Sequence, residues 1–172
     1  MLINAVGFYG SLWLTADYVE QKFVCRKKAY DPYKAARSVT VGAGVVAPLV
    51  YTWMKVGERI LPGRSLRTVV TKVCIDAFVC GPITLTSFYL SSSLLEGKNM
   101  QDSVDEWKRK FLPTLKRAWC LWPGVQMVNF MFVPPTKRVY MIGTVSLFWS
   151  VFLCYMKDNS VKHGASTGLD ED

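Results

Sequence analysis

Histidine is all but missing: His163 is the one copy in 172 residues, and it stands among the last ten. The apolar body of the chain therefore has no Ser-His or Cys-His pair and no histidine-bearing metal cluster. No catalytic residue, metal or cofactor is expected, and the chain reads as a protein that is not an enzyme. Cysteine is sparse and unpaired in pattern. There are five (Cys25, Cys74, Cys80, Cys120, Cys154), an odd number with no C-x-x-C spacing. They read as reduced thiols used as small apolar residues, with Cys25, beside Arg26 and Lys27, as the alternative redox-sensing position. Gly42-Ala43-Gly44 follows no strand pattern, which excludes a phosphate-cradling loop.

Charge is missing in a more telling way. All 34 charged side chains fall outside five windows, Met1 to Ala16, Ser38 to Met54, Ala77 to Leu95, Ala118 to Thr136 and Val139 to Met156. Those windows hold 16, 17, 19, 19 and 18 residues. A hydrocarbon layer about 30 Å thick needs about 20 helical residues, and flanking Lys and Arg stems reach across a small deficit. An amphipathic soluble helix would carry charge on its outer face at every turn, and these windows carry none. The competing reading, a soluble bundle of buried helices, is kept open by a mean hydropathy of only +0.17. Met1 to Ala16 lacks the Lys or Arg that precedes a cleaved signal, so it is expected to stay as a first helix.

What charge there is sums to +8, with 21 Lys and Arg against 13 Asp and Glu. The basic peaks flank apolar spans instead of gathering on one aromatic-laced face. The expected partners are therefore the lipid bilayer, chiefly anionic lipids, and not nucleic acid. A homo-oligomer is an open alternative. Between the windows, Lys and Arg divide 14 to 7 in favour of the first and third loops and the C-terminus. That bias sets these on the matrix or cytosolic side.

The expected fold is all-α, a polytopic transmembrane helix bundle with four to five spans and one interfacial amphipathic helix. Residues 1–158 form a single transmembrane domain and 159–172 a disordered acidic tail. Helices are expected at about Leu2 to Phe23, Tyr33 to Ile60, Ser65 to Leu95, Thr114 to Val133 and Thr136 to Lys157. Asp31-Pro32, Leu61-Pro62-Gly63, Glu96 to Asn99 and Pro134-Pro135 punctuate them. Gly81-Pro82 is expected to kink the third, and Ser38, Gly42, Ala43, Gly44 and Ala47 to let a neighbouring backbone approach the second. Met100, Val104, Trp107 and Phe111 recur at helical spacing opposite Asp102, Asp105, Glu106, Lys108 and Arg109. That segment is the expected interfacial helix, ended by Pro113.

Polar stripes run along the apolar helices. Lys72, Asp76, Cys80, Thr84, Ser87 and Ser91 share one face of the third helix. A carboxylate facing hydrocarbon costs roughly 2.5–3.5 kcal/mol, so Asp76 must face protein or water. Trp119, Trp122, Gln126, Asn129 and Val133 fall within about 80° of arc on the next apolar helix. Gly143, Ser146, Ser150 and Cys154 make a small polar face on the last. Two readings stand: Asp76, Thr84, Ser87, Ser91, Gln126, Asn129, Ser146 and Ser150 line a pore, or they knit the helices together.

Trp119-Cys-Leu-Trp122-Pro123-Gly-Val-Gln126-Met-Val-Asn129-Phe130-Met-Phe-Val133-Pro134, followed by Arg138, resembles the W-x-x-W-P-x-x-Q-x-x-N-F-x-x-V-P signature of the Mpv-seventeen family, which includes the twenty-two-kilodalton peroxisomal membrane protein. The likeness continues through Asp17, Gln21, Pro48, Trp53, Leu61-Pro62-Gly63, Lys72, Asp76, Pro82 and Trp149. Glu58-Arg59, Gly97-Lys98 and Phe152-Leu153-Cys154 are most similar to the Mpv-seventeen-like branch. Ala77 and Ala47 depart from the family's usual Gln and Gly. The resemblance implies a multi-spanning protein of the mitochondrial inner membrane, or alternatively the peroxisomal membrane, with channel-forming members and links to reactive oxygen metabolism and mitochondrial homeostasis. The expected function is thus a pore for ions or small polar metabolites, with a non-conducting membrane scaffold as the rival.

Overall fold

The computed structural model describes residues 2–24 and 29–166, with the side chains of 2–6, 9, 24, 139 and 154–166 left out. Those residues form five helices and no strand. Helix α1 covers Leu2–Val19 and widens into a π turn, Glu20–Val24. Next come α2 at Pro32–Ile60 and α3 at Leu66–Leu95. The last two are α4 at Met100–Phe132 and α5 at Arg138–Ser166.

Local chemistry accounts for the boundaries. The Asp31 carboxylate accepts from the Tyr33 and Lys34 amides, both at 3.0 Å, and Pro32 sits where a missing N–H costs nothing. Ser65 caps α3 through the Thr68 amide at 3.3 Å, and Asn99 caps α4 through the Asp102 amide at 2.8 Å. Gly63 and Gly97 turn the intervening loops at φ of +102° and +80°, where a side chain would be strained.

The expected kink at Gly81-Pro82 takes a specific form. Asp76–Cys80 is a π turn, in which the Gly81 amide bonds back to the Asp76 carbonyl, and Pro82 follows at once. Helix α2 does the same thing: Gly42–Val46 is a π turn, the Ala47 amide bonds to Gly42, and Pro48 follows. The wider turn makes room for a ring that has no N–H to give and would collide with the preceding turn. Small residues then let α1 in. A Cβ on Gly42 would lie 2.2 Å from the Trp13 ring, and one on Gly10 would meet Ala43 at 3.6 Å.

Each helix packs on its chain neighbours, and α5 returns to α1, so the five close a ring. Beside an apolar core that includes Trp13, Phe88, Tyr89 and Phe130, burial of charged and amide side chains in this ring is inverted relative to a water-soluble bundle. Asp17, Glu20, Gln21, Lys72, Asp76, Glu106, Lys110, Gln126, Asn129 and Arg138 are all buried. Phe78, Phe132 and Phe148 stand outward at 66%, 72% and 71% exposure. Polar groups inside and aromatic rings outside is the arrangement a lipid solvent selects. Helices α2 and α3 are each long and apolar enough to cross a bilayer, and Tyr140–Leu153 is a shorter apolar stretch.

Two expectations change. The interfacial helix over Met100–Leu112 does not exist as a separate element, because α4 runs unbroken from Met100 to Phe132 through both Pro113 and Pro123. An interior proline costs about 3 kcal/mol; against it stand the apolar burial of Leu115 and Ala118 and the interhelix hydrogen bonds of Glu106 to Ser93 and of Thr114 to Tyr89. Trp107 also faces protein and not headgroups: it packs on the core and donates to the Thr86 hydroxyl at 3.1 Å. The second change is at the C-terminus. Helix α5 extends to Ser166, past Lys157, since no proline interrupts it; the rest of the expected tail, 167–172, lies outside the described residues.

Candidate functional site

All five helices contribute to one cavity of about 90 Å³ in the middle of the ring. Trp13 reaches it from α1, Val46 and Val50 from α2, Leu115, Ala118 and Trp122 from α4, and Ile142, Trp149 and Leu153 from α5. The polar part of the wall comes from Asp76, Cys80 and Thr84 on α3, Gln126 on α4, and Ser146 and Ser150 on α5. Trp13 and Phe88 pack with ring centres 5.5 Å apart, and Trp122 and Trp149 meet edge-on at 6.1 Å.

Asp76 is the polar centre. Its Oδ1 accepts from the Trp53 indole at 2.9 Å, and its Oδ2 accepts from the Gln126 amide at 2.9 Å. Gln126 is itself held by Asn129, whose Nδ2 donates to the Gln126 Oε1 at 3.1 Å. This relay turns the amide donors toward Asp76. Asn129 is fully buried, and its own Oδ1 has no hydrogen-bond partner among the described residues. The second orphan, the indole N–H of Trp13, belongs to a residue of the cavity wall.

The π turn also produces a contact. Because the Gly81 amide bonds to Asp76, the Ala77 carbonyl is released from the helix ladder, and the Trp119 indole donates to it at 2.9 Å. The signature tryptophan of α4 is thereby clamped to the irregular turn that carries Asp76.

The residues expected to share one site divide among several. Asp76, Thr84, Gln126, Ser146 and Ser150 come together at the cavity. Ser91 instead bonds the Ser87 carbonyl of its own helix, and neither it nor Ser87 reaches the cavity. Asn129 acts one shell back, through Gln126. Among the signature residues, Trp119 and Trp122 line the wall, while Pro123 sits inside α4 and Pro134 follows its end.

Phe130, Val133 and Arg138 build a separate cluster at one end of the ring. The buried Arg138 guanidinium donates to the Val133 and Phe130 carbonyls, each at 3.1 Å, and to Glu58. It thus satisfies carbonyls that α4 leaves open at its C-terminus. Lys72 joins the same carboxylate at 2.6 Å, so Glu58 ties α2 to α3 and α5. At the opposite end, Asp17 accepts from Gln21 at 2.6 Å and Ser38 at 2.9 Å. There Lys98 bridges Glu96 and Glu106; partial burial works against its charge, but those two carboxylates hold its pKa above the usual lysine value.

Sequence reasoning did not select Trp53, Trp13 or Trp149 for the site. Each lies in an uncharged window where nothing in the spacing distinguishes a lipid-facing indole from an inward one.

Residues 93–154 match the model of the Mpv17 / PMP22 family. An Mpv17-like protein of Xenopus laevis is 35% identical over 162 residues, covering 92% of this chain and 78% of that protein. The mitochondrial inner membrane protein Mpv17 of Caenorhabditis briggsae is 31% identical over 134 residues, 78% of this chain and 74% of that one. PXMP2/4 family protein 4 of Dictyostelium discoideum is 29% identical over 153 residues, 87% and 83% respectively. No solved structure matches the chain.

Proposed function

The chain belongs to the Mpv17 / PMP22 family of membrane proteins, and from that premise we propose that it is a non-enzymatic pore for ions or small polar metabolites, with all five helices crossing the bilayer. The observation that carries this reading is the convergence of five polar side chains, taken from three helices, on a cavity that every helix of the ring helps to wall. A bundle held together only by interhelix contacts has no need of a shared central space. On this reading the conformation described is a shut one, with Trp13 packed on Phe88 and Trp122 packed on Trp149 in the cavity wall. The π turns at Gly42–Val46 and Asp76–Cys80, each followed by proline, are the weak points of α2 and α3 about which an opening motion would bend.

The membrane we assign is the mitochondrial inner membrane, on the name of the Caenorhabditis briggsae relative, with the peroxisomal membrane as the alternative. A role in reactive oxygen metabolism and mitochondrial homeostasis, anionic lipid contacts and self-association extend the same proposal. The rival reading, a non-conducting scaffold, draws on the saturation of Asp76 by Trp53 and Gln126 and on the apolar side chains that make up most of the wall.

Purified protein in planar bilayers separates the two. We expect conductance with a cation preference that falls in Asp76→Asn, a change that removes charge and keeps shape. Protein that stays electrically silent across voltage, pH and thiol redox state would leave the scaffold.

A further inference from the structure

We propose that the central cavity is a binding site for a small organic ammonium ion, with Asp76 as its counter-charge and the cavity tryptophans as its cage. This deepens the pore reading by naming the class of solute the site takes.

The argument begins with charge. Asp76 is 8% exposed, and both of its carboxylate oxygens accept from neutral donors, the Trp53 indole and the Gln126 amide. No Lys or Arg bonds it among the described residues. Lys72, one turn away on the same face, is committed to Glu58 and the Gly63 carbonyl. Of the molecule's other buried carboxylates, Glu20 pairs with Lys34 and Glu106 with Lys98 and Lys110, while Asp17, held by Gln21 and Ser38, is no part of the cavity wall. A buried carboxylate held by neutral donors alone still lacks a counter-ion, and the open side of Asp76 is the cavity.

The rest of the wall selects which cation. A bare metal ion would need several oxygens to replace its water shell, and the hydroxyls of Thr84, Ser146 and Ser150 are scattered over two helices among apolar side chains. Trp13, Trp119, Trp122, Trp149 and Phe88 dominate instead. Aromatic faces around a single carboxylate suit a weakly hydrated ammonium whose charge is spread over alkyl groups. At about 90 Å³ the space exceeds several-fold the 10–15 Å³ or so that one water needs, which limits the guest to a small ion.

The test uses the whole protein in detergent, with tetramethylammonium as the probe and tert-butanol as its neutral partner of similar shape. Tryptophan fluorescence and thermal unfolding are followed as each is added. Tetramethylammonium should give a saturable fluorescence change and a raised midpoint, at an apparent affinity at least about tenfold better than tert-butanol, as a desolvated cation–aromatic contact predicts. Asp76→Asn should lose most of that preference. Ser146→Leu, which fills the cavity and leaves the carboxylate alone, should abolish the response. Equal responses to the two probes in the native protein, or an undiminished response in Ser146→Leu, would overturn the proposal even if Asp76→Asn failed to fold. Conductance without ammonium binding sinks this inference and spares the pore. Binding without conductance supports it and removes the pore.

Discussion

The Asp76, Gln126 and Asn129 side chains differ in what their loss leaves behind. Removing Gln126 takes a donor from a buried carboxylate, and an unsatisfied charged group is the costlier kind of orphan. Removing Asn129 takes one donor from Gln126 and also removes the unpartnered Oδ1, so part of the loss is returned. We therefore expect Gln126→Leu to cost about 1–3 kcal/mol and Asn129→Leu about 1 kcal/mol or less, read as thermal midpoints in one detergent. Equal losses would mean that Asn129 touches something beyond Gln126. The polar members of this cluster were legible because a carboxylate at the edge of an uncharged window, and amides at helical spacing inside one, must face inward. Trp53 was not, since an indole is equally at home in a lipid-facing position and its role depends on where α2 meets α3.

The elements themselves were set largely by local chemistry, and α4 is the instructive exception. Pro113 reads locally as a stop, and Met100 to Leu112 reads locally as an amphipathic strip for a membrane surface. Both readings treat the segment as if it were alone. In the bundle, Glu106 receives hydrogen bonds from Ser93, Lys98 and Lys110, at 2.7, 2.7 and 2.6 Å, so Glu106 is drawn inward while Asp102, Lys108 and Arg109 stay exposed. Trp107 then lies against α3. Trp107→Glu should consequently lower the thermal midpoint of the whole bundle, by on the order of 2 kcal/mol or more, because a carboxylate would replace a half-buried ring. An unchanged midpoint with protease sensitivity confined to 100–112 would restore the interfacial helix.

At the scale of the molecule, the inversion of burial decides how the protein must be handled. Ion pairs and amides occupy the interior while outward Phe78, Phe132 and Phe148 meet the solvent, which water would not support. We expect the protein to stay with membranes through alkaline carbonate extraction and to need detergent for release. Recovery in the aqueous supernatant would contradict the membrane assignment. Helices α2 and α3 are long and apolar enough to cross a bilayer. Helix α4 is more polar: its first half carries charges from Asp102 to Arg117, partly satisfied within the bundle, and its second half carries Gln126 and Asn129.

The sequence by itself determined the helical class, the helix start at Asp31-Pro32, the irregularity at Gly81-Pro82, the family and the inward placement of Asp76, Gln126 and Asn129. Each of these follows from one segment read alone: a turn-forming Asp-Pro pair, a missing N–H, a charge that lipid rejects. Only the tertiary structure decided that Thr84, Ser146 and Ser150 reach one cavity while Ser87 and Ser91 do not, that Trp119 takes the carbonyl released beside Asp76, and that α4 runs through Pro113. Those outcomes depend on rotation and register between helices. A shift of one residue, about 100° around an α-helix, exchanges the group facing the cavity for one facing a neighbour, and no single helix encodes that choice.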